Sequence, residues 1–441
     1  DRYLFQANVR HDGSSRFAKG YRWGTFPSFS AGWVASEEKF MKNLKWDWLS
    51  FLKLRGSWGM LGNERIGSNY FPYIALMSFG NSLFYMADGS VVSDKTARPA
   101  VLAVEDITWE TTTSTDLGLD VNFLNNRLQF HFDYYWKETK DMLLNIEIPY
   151  FMGYNNPSTN AGKMSTHGYD IEVAWNDQIG DFKYDINVNF SDFLSKIDYM
   201  NDGEQISGGK IKRAGVLFNE FYGYVCEGIY QTQEEVNNSA RTSTTVTVGD
   251  LKYRDISGPD GVPDGVISPE YDRVPLGNSL PRFQYGGSLN ASYKGIDFSL
   301  AFQGIGKQNS YLSTSMVQPL RDNYGNVPAI LEGKYWSPFN TTEENLAAKY
   351  PRLSNVSKSN NYATSSFWMF NGSYFRLKNI TLGYTLPKSW TQKAGINRAR
   401  FYVSGSDLFC LSNFPSGWDP EMGTSDYPIT TSLVMGIQVN F

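Results

Sequence analysis

A membrane-spanning antiparallel β-barrel, an all-β fold, is the class this sequence predicts, and three observations predict it. Apolar and polar residues alternate with a period of two over stretches of eight to eleven residues. The connections between these stretches alternate in length, so short links fall at one end and long loops at the other. Aromatics reach 16 % of the chain while charged residues are 19 %, below the usual quarter. In hydrocarbon every backbone N–H and C=O must be paired within the protein, which leaves closed barrels as the strand solution.

Fourteen strands are expected, near 2–10, 26–35, 51–60, 114–123, 128–137, 167–176, 181–191, 209–216, 220–231, 282–293, 296–304, 374–386, 398–408 and 430–441. Tyr3, Phe5, Ala7 and Val9 open the pattern on one face. Leu117, Leu119, Val121 and Phe123 repeat it, and so do Leu128, Phe130, Phe132, Tyr134 and Trp136. Phe182, Tyr184, Ile186, Val188 and Phe190 face away from Lys183, Asp185, Asn187 and Asn189. Ile296, Phe298, Leu300 and Phe302 follow, and Leu433, Met435, Ile437, Val439 and Phe441 close the chain. The segment 209–216 carries the weakest signal.

Short links fall at 125–126, 177–180, 294–295 and 387–395; long ones at 11–25, 61–113, 138–166, 232–281, 305–373 and 409–429. Links 36–50 and 192–208 are intermediate and favour neither end. Outer-membrane barrels use strands of about 9–11 residues, short periplasmic turns and long extracellular loops. A soluble sandwich also alternates, but its outward face is polar and its turns do not segregate by length. Helical periodicity is scarce, with Glu343 to Lys349 the best short candidate.

Composition excludes several classes. No stretch of 18 apolar residues exists, so no spanning helix is expected. A net charge of −5 without a Lys/Arg cluster argues against nucleic acid. Cys226 and Cys410 read as two separate small apolar residues. The histidines are His11, His131 and His167, and no HExxH, GxSxG or P-loop is present, so no enzyme activity is expected. Asp170 and Glu172 share a strand face and read as lumen lining. The chain opens at Asp1 without a leader pattern and reads as a mature piece or fragment.

Two constellations are candidate ligand sites. Loop aromatics Tyr70, Phe71, Tyr73, Tyr150, Tyr154, Trp336, Trp368 and Trp418 offer faces on which the C–H surfaces of sugar rings stack. Asn155, Asn156, Asn360 and Asn361 supply hydrogen-bonding neighbours that suit glycans and peptides alike. Packing of these rings on the barrel rim is the competing role. The segment DISGPDGVPDGVISPEYD holds Asp255, Asp260, Asp264 and Asp272 among glycines, a composition that suits a hard cation such as Ca2+. The EF-hand spacing is imperfect, because Val262 occupies the third position counted from Asp260. A turn-rich acidic loop is the simpler reading.

Several stretches together resemble one family. "RHDGSSRF", "RWGTFPSFSAGWVASEEKF", "LKLRGSWGMLGN", "NAGKMSTHGYDIEV", "FYGYVCEGIYQT", "GDLKYRDISGPDGVPDG", "FRLKNITLGYTLP" and "GWDPEM" look like the SusC/RagA-type TonB-linked outer-membrane proteins of Bacteroidetes, in order along nearly the whole chain. The resemblance implies a 22-stranded barrel in the bacterial outer membrane that imports oligosaccharides or peptides. It implies a SusD-like surface lipoprotein over the mouth and energy from TonB. Residues 1–441 would then be the C-terminal barrel portion, about the last fourteen strands. The plug, the TonB box and the first strands would be absent from this chain and supplied by an N-terminal barrel and plug portion. A passive porin-like channel without plug is the alternative. An aromatic at the end of the last strand, Phe441, is similar to the signal read by the barrel-assembly machinery.

Overall fold

The structure is a computed structural model that describes residues 2–44, 46–65, 70–201, 203–312, 317–319, 326–354, 356–423 and 427–441, without the side chains of Val101 and Tyr150. It divides into two compact units. The first comprises Asp1–Asn176, Ser191–Gln205 and Arg213–Phe218; the second comprises Asp177–Phe190, Ile206–Lys212 and Asn219–Phe441.

The first unit carries β1 (Tyr3–Gly13), β2 (Trp23–Val34), β3 (Leu49–Asn63), β4 (Leu76–Tyr85), β5 (Val91–Val101), β6 (Glu110–Phe123), β7 (Leu128–Asn145) and most of β8 (Ser158–Ile179). Its sheet runs β1-β2-β3-β6-β7-β8, antiparallel throughout. Strands β4 and β5 form a separate hairpin inside the 64–109 connection. Register explains the two faces. Leu54, Leu119, Phe132 and Ile171 are cross-strand partners, as are Val121, Phe130 and Val173. On the other face Arg55, Gly118, Asp133 and Asp170 align. The connections 14–22, 64–109 and 146–157 leave one end, and 35–48 and 124–127 the other.

β9 (Phe182–Met200) contributes to both units. β10 (Glu204–Ser207) and β11 (Lys210–Arg213) precede β12 (Glu220–Tyr224), β13 (Cys226–Ile229), β14 (Leu251–Tyr253) and β15 (Arg273–Asn278). The second unit continues with β16 (Arg282–Tyr293), β17 (Ile296–Lys307), β18 (Asn309–Tyr311), β19 (Met369–Asn371), β20 (Tyr374–Thr385), β21 (Arg398–Ser412) and β22 (Ser432–Asn440). Its main sheet is β16-β17-β20-β21-β22. Ala291, Phe298, Leu382, Val403 and Met435 form one cross-strand row. Links 294–295 and 386–397 leave one end, and 308–373 and 413–431 the other.

Both sheets place polar groups on the more enclosed face and apolar groups on the open one. Phe5 and Met435 are each 82 % exposed, and Leu117 and Leu382 exceed half exposure. Arg55, on the opposite face, meets three carboxylates: Asp133 at 2.5 Å, Asp120 at 3.2 Å and Asp116 at 3.6 Å. That polarity is the reverse of a water-soluble sandwich and matches a lipid-facing wall. Hydrophobic cores of the ordinary kind occur in the connections. In the first unit Phe17, Phe26, Ile107 and Trp109 pack together. In the second, Tyr224, Leu251, Tyr253, Ile267, Leu312, Val317, Leu331 and Trp368 form a larger one.

Twelve of the fourteen expected segments are long antiparallel strands. Segments 209–216 and 220–231 are not wall strands. They break into β11, β12 and β13, which pair in small sheets: β12 with β11 and β15, β13 with β14. In β12, Phe221, Tyr222 and Tyr224 are buried on both faces among the connections, and Tyr224 joins their hydrophobic core. The helix expected at 343–349 forms as Thr342–Leu346, held by a capping box between Thr341 and Glu344.

Candidate ligand-binding site

A cavity of about 980 Å3 lies in the first unit against the polar face of β1, β2 and β3. Period-two geometry builds it. Gln6, Asn8, Arg10 and Asp12 come from β1, Ser28 and Ser30 from β2, and Asn63 from β3. Arg10 pairs with Asp12 at 2.6 Å, and Arg16 lies 3.9 Å from Glu64. Trp109 forms part of the lining and donates its indole N–H to the Arg22 carbonyl at 3.0 Å. The Phe26 ring meets Trp109 edge-on at 5.4 Å. Phe26 fits there only because its neighbours are Gly24 and Gly62, where a Cβ would come within 2.4 and 2.1 Å of the ring.

Three of the expected aromatics gather beside this cavity. The Arg16 guanidinium lies 4.7 Å over the Tyr70 ring. Phe71 and Tyr73 meet edge-on at 6.4 Å, and the Tyr73 hydroxyl donates to the Ser15 carbonyl at 3.5 Å. Tyr70 and Phe71 remain exposed. None of the three rings lines the cavity itself: Tyr70 adjoins it through Arg16, while the cavity wall supplies both charge signs and amide groups. Tyr154 is half-buried in the 146–157 segment, which is tied to β5 by the Asn155 N–H donating to the Ala100 carbonyl at 3.0 Å. The Tyr150 side chain lies outside the described residues.

Trp336 and Trp368 are not open platforms. Trp368 is 1 % exposed in the loop core of the second unit, and its indole donates to the Asn361 carbonyl at 2.9 Å. Trp336 is buried, donates to Gln231 at 3.2 Å, and covers Gly249, where a Cβ would lie 2.3 Å from its ring. Trp418 packs half-buried against the same core. Asn360 and Asn361 are likewise interior. Asn361 donates to Asp250 at 2.8 Å and accepts from the Leu251 N–H at 2.9 Å. Arg352 completes the buried Asp250 site with a 2.7 Å bond. Long connections need a core of their own, and aromatics with amide partners supply it.

The acidic segment spends its carboxylates on its own backbone. Buried Asp272 accepts from the N–H groups of Ile256, Ser257 and Ser268 at 2.7, 3.2 and 2.7 Å. Asp255 accepts from Gly265 at 2.7 Å and Asp264 from Val266 at 2.9 Å, while Asp260 is exposed. Among the described residues no group of three or more His, Cys, Asp or Glu side chains converges as a metal set. Cys226 and Cys410 are free thiols, and burial pushes Cys226 up to about 11. Phe441 ends the chain 86 % exposed.

Long-range ion clusters carry no periodic signal, and the sequence alone did not reveal them. Arg376 of β20 is 2 % exposed and meets Asp419 at 2.6 Å and Glu421 at 2.5 Å. Gln303 of β17 also donates to Glu421, at 2.9 Å. The stretches FRLKN and GWDPEM are therefore contact partners, which pins residues 419–421 onto the polar face of the strands. Their joint presence in one sequence was the available signal.

The family described as TonB dependent receptor-like, β-barrel, matches residues 1–404. The TonB-dependent receptor P3 of Formosa agariphila is 30 % identical, covering 100 % of this chain and 44 % of that protein. The TonB-dependent receptor SusC of Bacteroides thetaiotaomicron is also 30 % identical, covering 100 % of this chain and 42 % of its own length. Among solved structures, the RagAB peptide transporter matches with a TM-score of 0.79 at 24 % identity, over 100 % of this chain and 46 % of that one. The chain thus spans less than half the length of these relatives.

Proposed function

This chain belongs to the TonB dependent receptor-like β-barrel family, and on that premise we propose that it is part of the wall of an outer-membrane importer for oligosaccharides or peptides. The observation that carries the reading is the reversed polarity of both sheets: open apolar rows such as Phe298, Leu382, Val403 and Met435, against a charged opposite face. A wall of that polarity separates acyl chains from a polar conduit. The cavity beside Arg16, Tyr70, Phe71 and Tyr73 is the proposed ligand contact. Rings there accept C–H faces, while Asn63, Glu64 and Arg10 match hydroxyls or peptide groups.

In this reading the plug and the segment that contacts TonB belong to a part of the protein outside this sequence. A SusD-like lipoprotein closes the mouth, as the resemblance to SusC/RagA-type proteins implies. The outer membrane has no energy source of its own, so force must arrive through the plug. Two measurements test the proposal. The whole protein in planar bilayers passes no steady ohmic current if a plug closes it; an open current identifies a passive channel instead. Equilibrium binding of an oligosaccharide and peptide panel to wild type and to Tyr70→Ala/Phe71→Ala then tests the site. Unchanged affinity for every binder removes these rings from the ligand contact.

A further inference from the structure

The connection 35–48 is neither clearly short nor long in the sequence, yet its side chains form a coherent surface. Phe40 belongs to the short helix Lys39–Asn43, and Leu44 follows it one turn later on the same side. Phe40, Leu44, Trp46 and Trp48 are all about half exposed, at 55, 49, 44 and 50 %. Four large apolar side chains in so short a turn are a patch, which a water-facing turn avoids.

The patch continues the open apolar face of the strands. Trp46 stacks on Trp48 at 5.4 Å, and Trp48 stacks on Phe123 at 5.7 Å. Phe123 ends the row that contains Leu117 and Val121. On the other side Trp33 of β2 meets Phe40 at 6.5 Å. Two carboxylates of the turn have partners at its margin. Glu38 accepts from Arg2, Tyr3 and Trp33, and Glu37 pairs with Lys42 at 2.6 Å.

We propose that this turn is an in-plane anchor in which Phe40, Leu44, Trp46 and Trp48 lie in the phospholipid headgroup and upper acyl boundary at the short-turn end of the first unit. Indole rings, apolar but carrying an N–H donor, favour that layer over both water and hydrocarbon, and Phe40 and Leu44 bury apolar surface on its acyl side. The occupant is lipid because the patch is continuous with the lipid-facing rows. The anchor would fix how deeply β2, β3 and β6 sit in the bilayer. The proposal rests on the membrane reading above, and its test separates the two.

An environment-sensitive fluorophore is placed at Phe40→Cys, in a Cys226→Ser/Cys410→Ser background, in the whole protein reconstituted in phosphatidylcholine vesicles. A second protein carries the label at Leu117→Cys. The expected result is blue-shifted emission at position 40, quenched more by a headgroup-proximal doxyl lipid than by a chain-end doxyl lipid, with the reverse order at position 117. If position 40 is water-like while 117 is quenched, the anchor is wrong and the barrel stands. If position 40 follows the depth order of 117, the interfacial placement is wrong. Quenching at neither position overturns the membrane reading itself. Trp46→Cys carries the same label should Phe40→Cys fail to assemble.

Discussion

Gly118 shows how one missing side chain organises the polar wall. It lies between Arg55 and Asp133 in the register of β3, β6 and β7. A Cβ there would sit 2.4 Å from the Arg55 guanidinium carbon, so the glycine lets Arg55 lie across β6. That reach brings its terminal nitrogen to Asp133 at 2.6 Å, while its Nε donates to Asp120 at 3.2 Å on the strand it crosses. Gly383 repeats the device beneath Arg400, which crosses β20 to Asp297 on β17. Charges held this way are partly shielded from water, so losing the geometry costs more than breaking an exposed pair. Gly118→Val should therefore displace Arg55 and destabilise the protein by about 1–3 kcal/mol, read as a lower denaturant midpoint in detergent. The same substitution in an Arg55→Gln background should cost much less, because the displaced group is already gone. Equal costs in the two backgrounds would show that Gly118 acts through something other than Arg55.

At the scale of elements, the connections of the second unit behave as a small folded domain, and its chemistry sets a pH limit. Burial penalises the phenolate and holds Tyr224, Tyr253, Tyr311, Tyr350 and Tyr362 protonated above the usual tyrosine range. A tyrosine whose folded pKa exceeds its unfolded value of 10.0 contributes fully below that pH and loses its contribution as pH rises above it. This loop core should thus loosen above pH 10 while the wall strands persist. Near-ultraviolet circular dichroism should fall as tyrosinate absorbance grows, with far-ultraviolet strand signal retained; simultaneous loss of both signals would contradict a separate loop core. The same elements explain which features were legible beforehand. A period of two marks Leu117 to Phe123 or Phe182 to Phe190 plainly, because each strand keeps one face apolar over its whole length. It misassigned 220–231, because the run of apolar residues there reads like a wall strand, whereas Phe221, Tyr222 and Tyr224 are buried without a two-faced pattern. The hairpin of β4 and β5 escaped notice inside a long connection. Tyr70, Phe71 and Tyr73 could be found as loop aromatics, but nothing local separates them from Trp368, which distant residues enclose.

For the molecule as a whole, the decisive quantity is which face of the sheets meets the low-dielectric medium. Neighbours in one strand test it most cleanly, since they share backbone, depth and distance from the ends. Leu382 belongs to the apolar row with Phe298 and Val403, while Thr381 beside it shares a 2.8 Å hydrogen bond with Ser404 on the polar face. In a bilayer, Leu382→Arg places a guanidinium among acyl chains at a cost of about 2–4 kcal/mol near the midplane. Thr381→Arg places it among polar groups that tolerate charge, since Arg400 and Asp297 already pair on that face. In a soluble sandwich the two costs would exchange, because the polar face would then be the one exposed to water. The expected outcome is that Leu382→Arg lowers the yield of folded protein in outer-membrane fractions and lowers its denaturant midpoint after lipid reconstitution, whereas Thr381→Arg stays close to wild type in both. The opposite ranking would mean that the open rows of Phe, Leu and Met are covered by protein, and the wall of a membrane conduit would no longer be the right description.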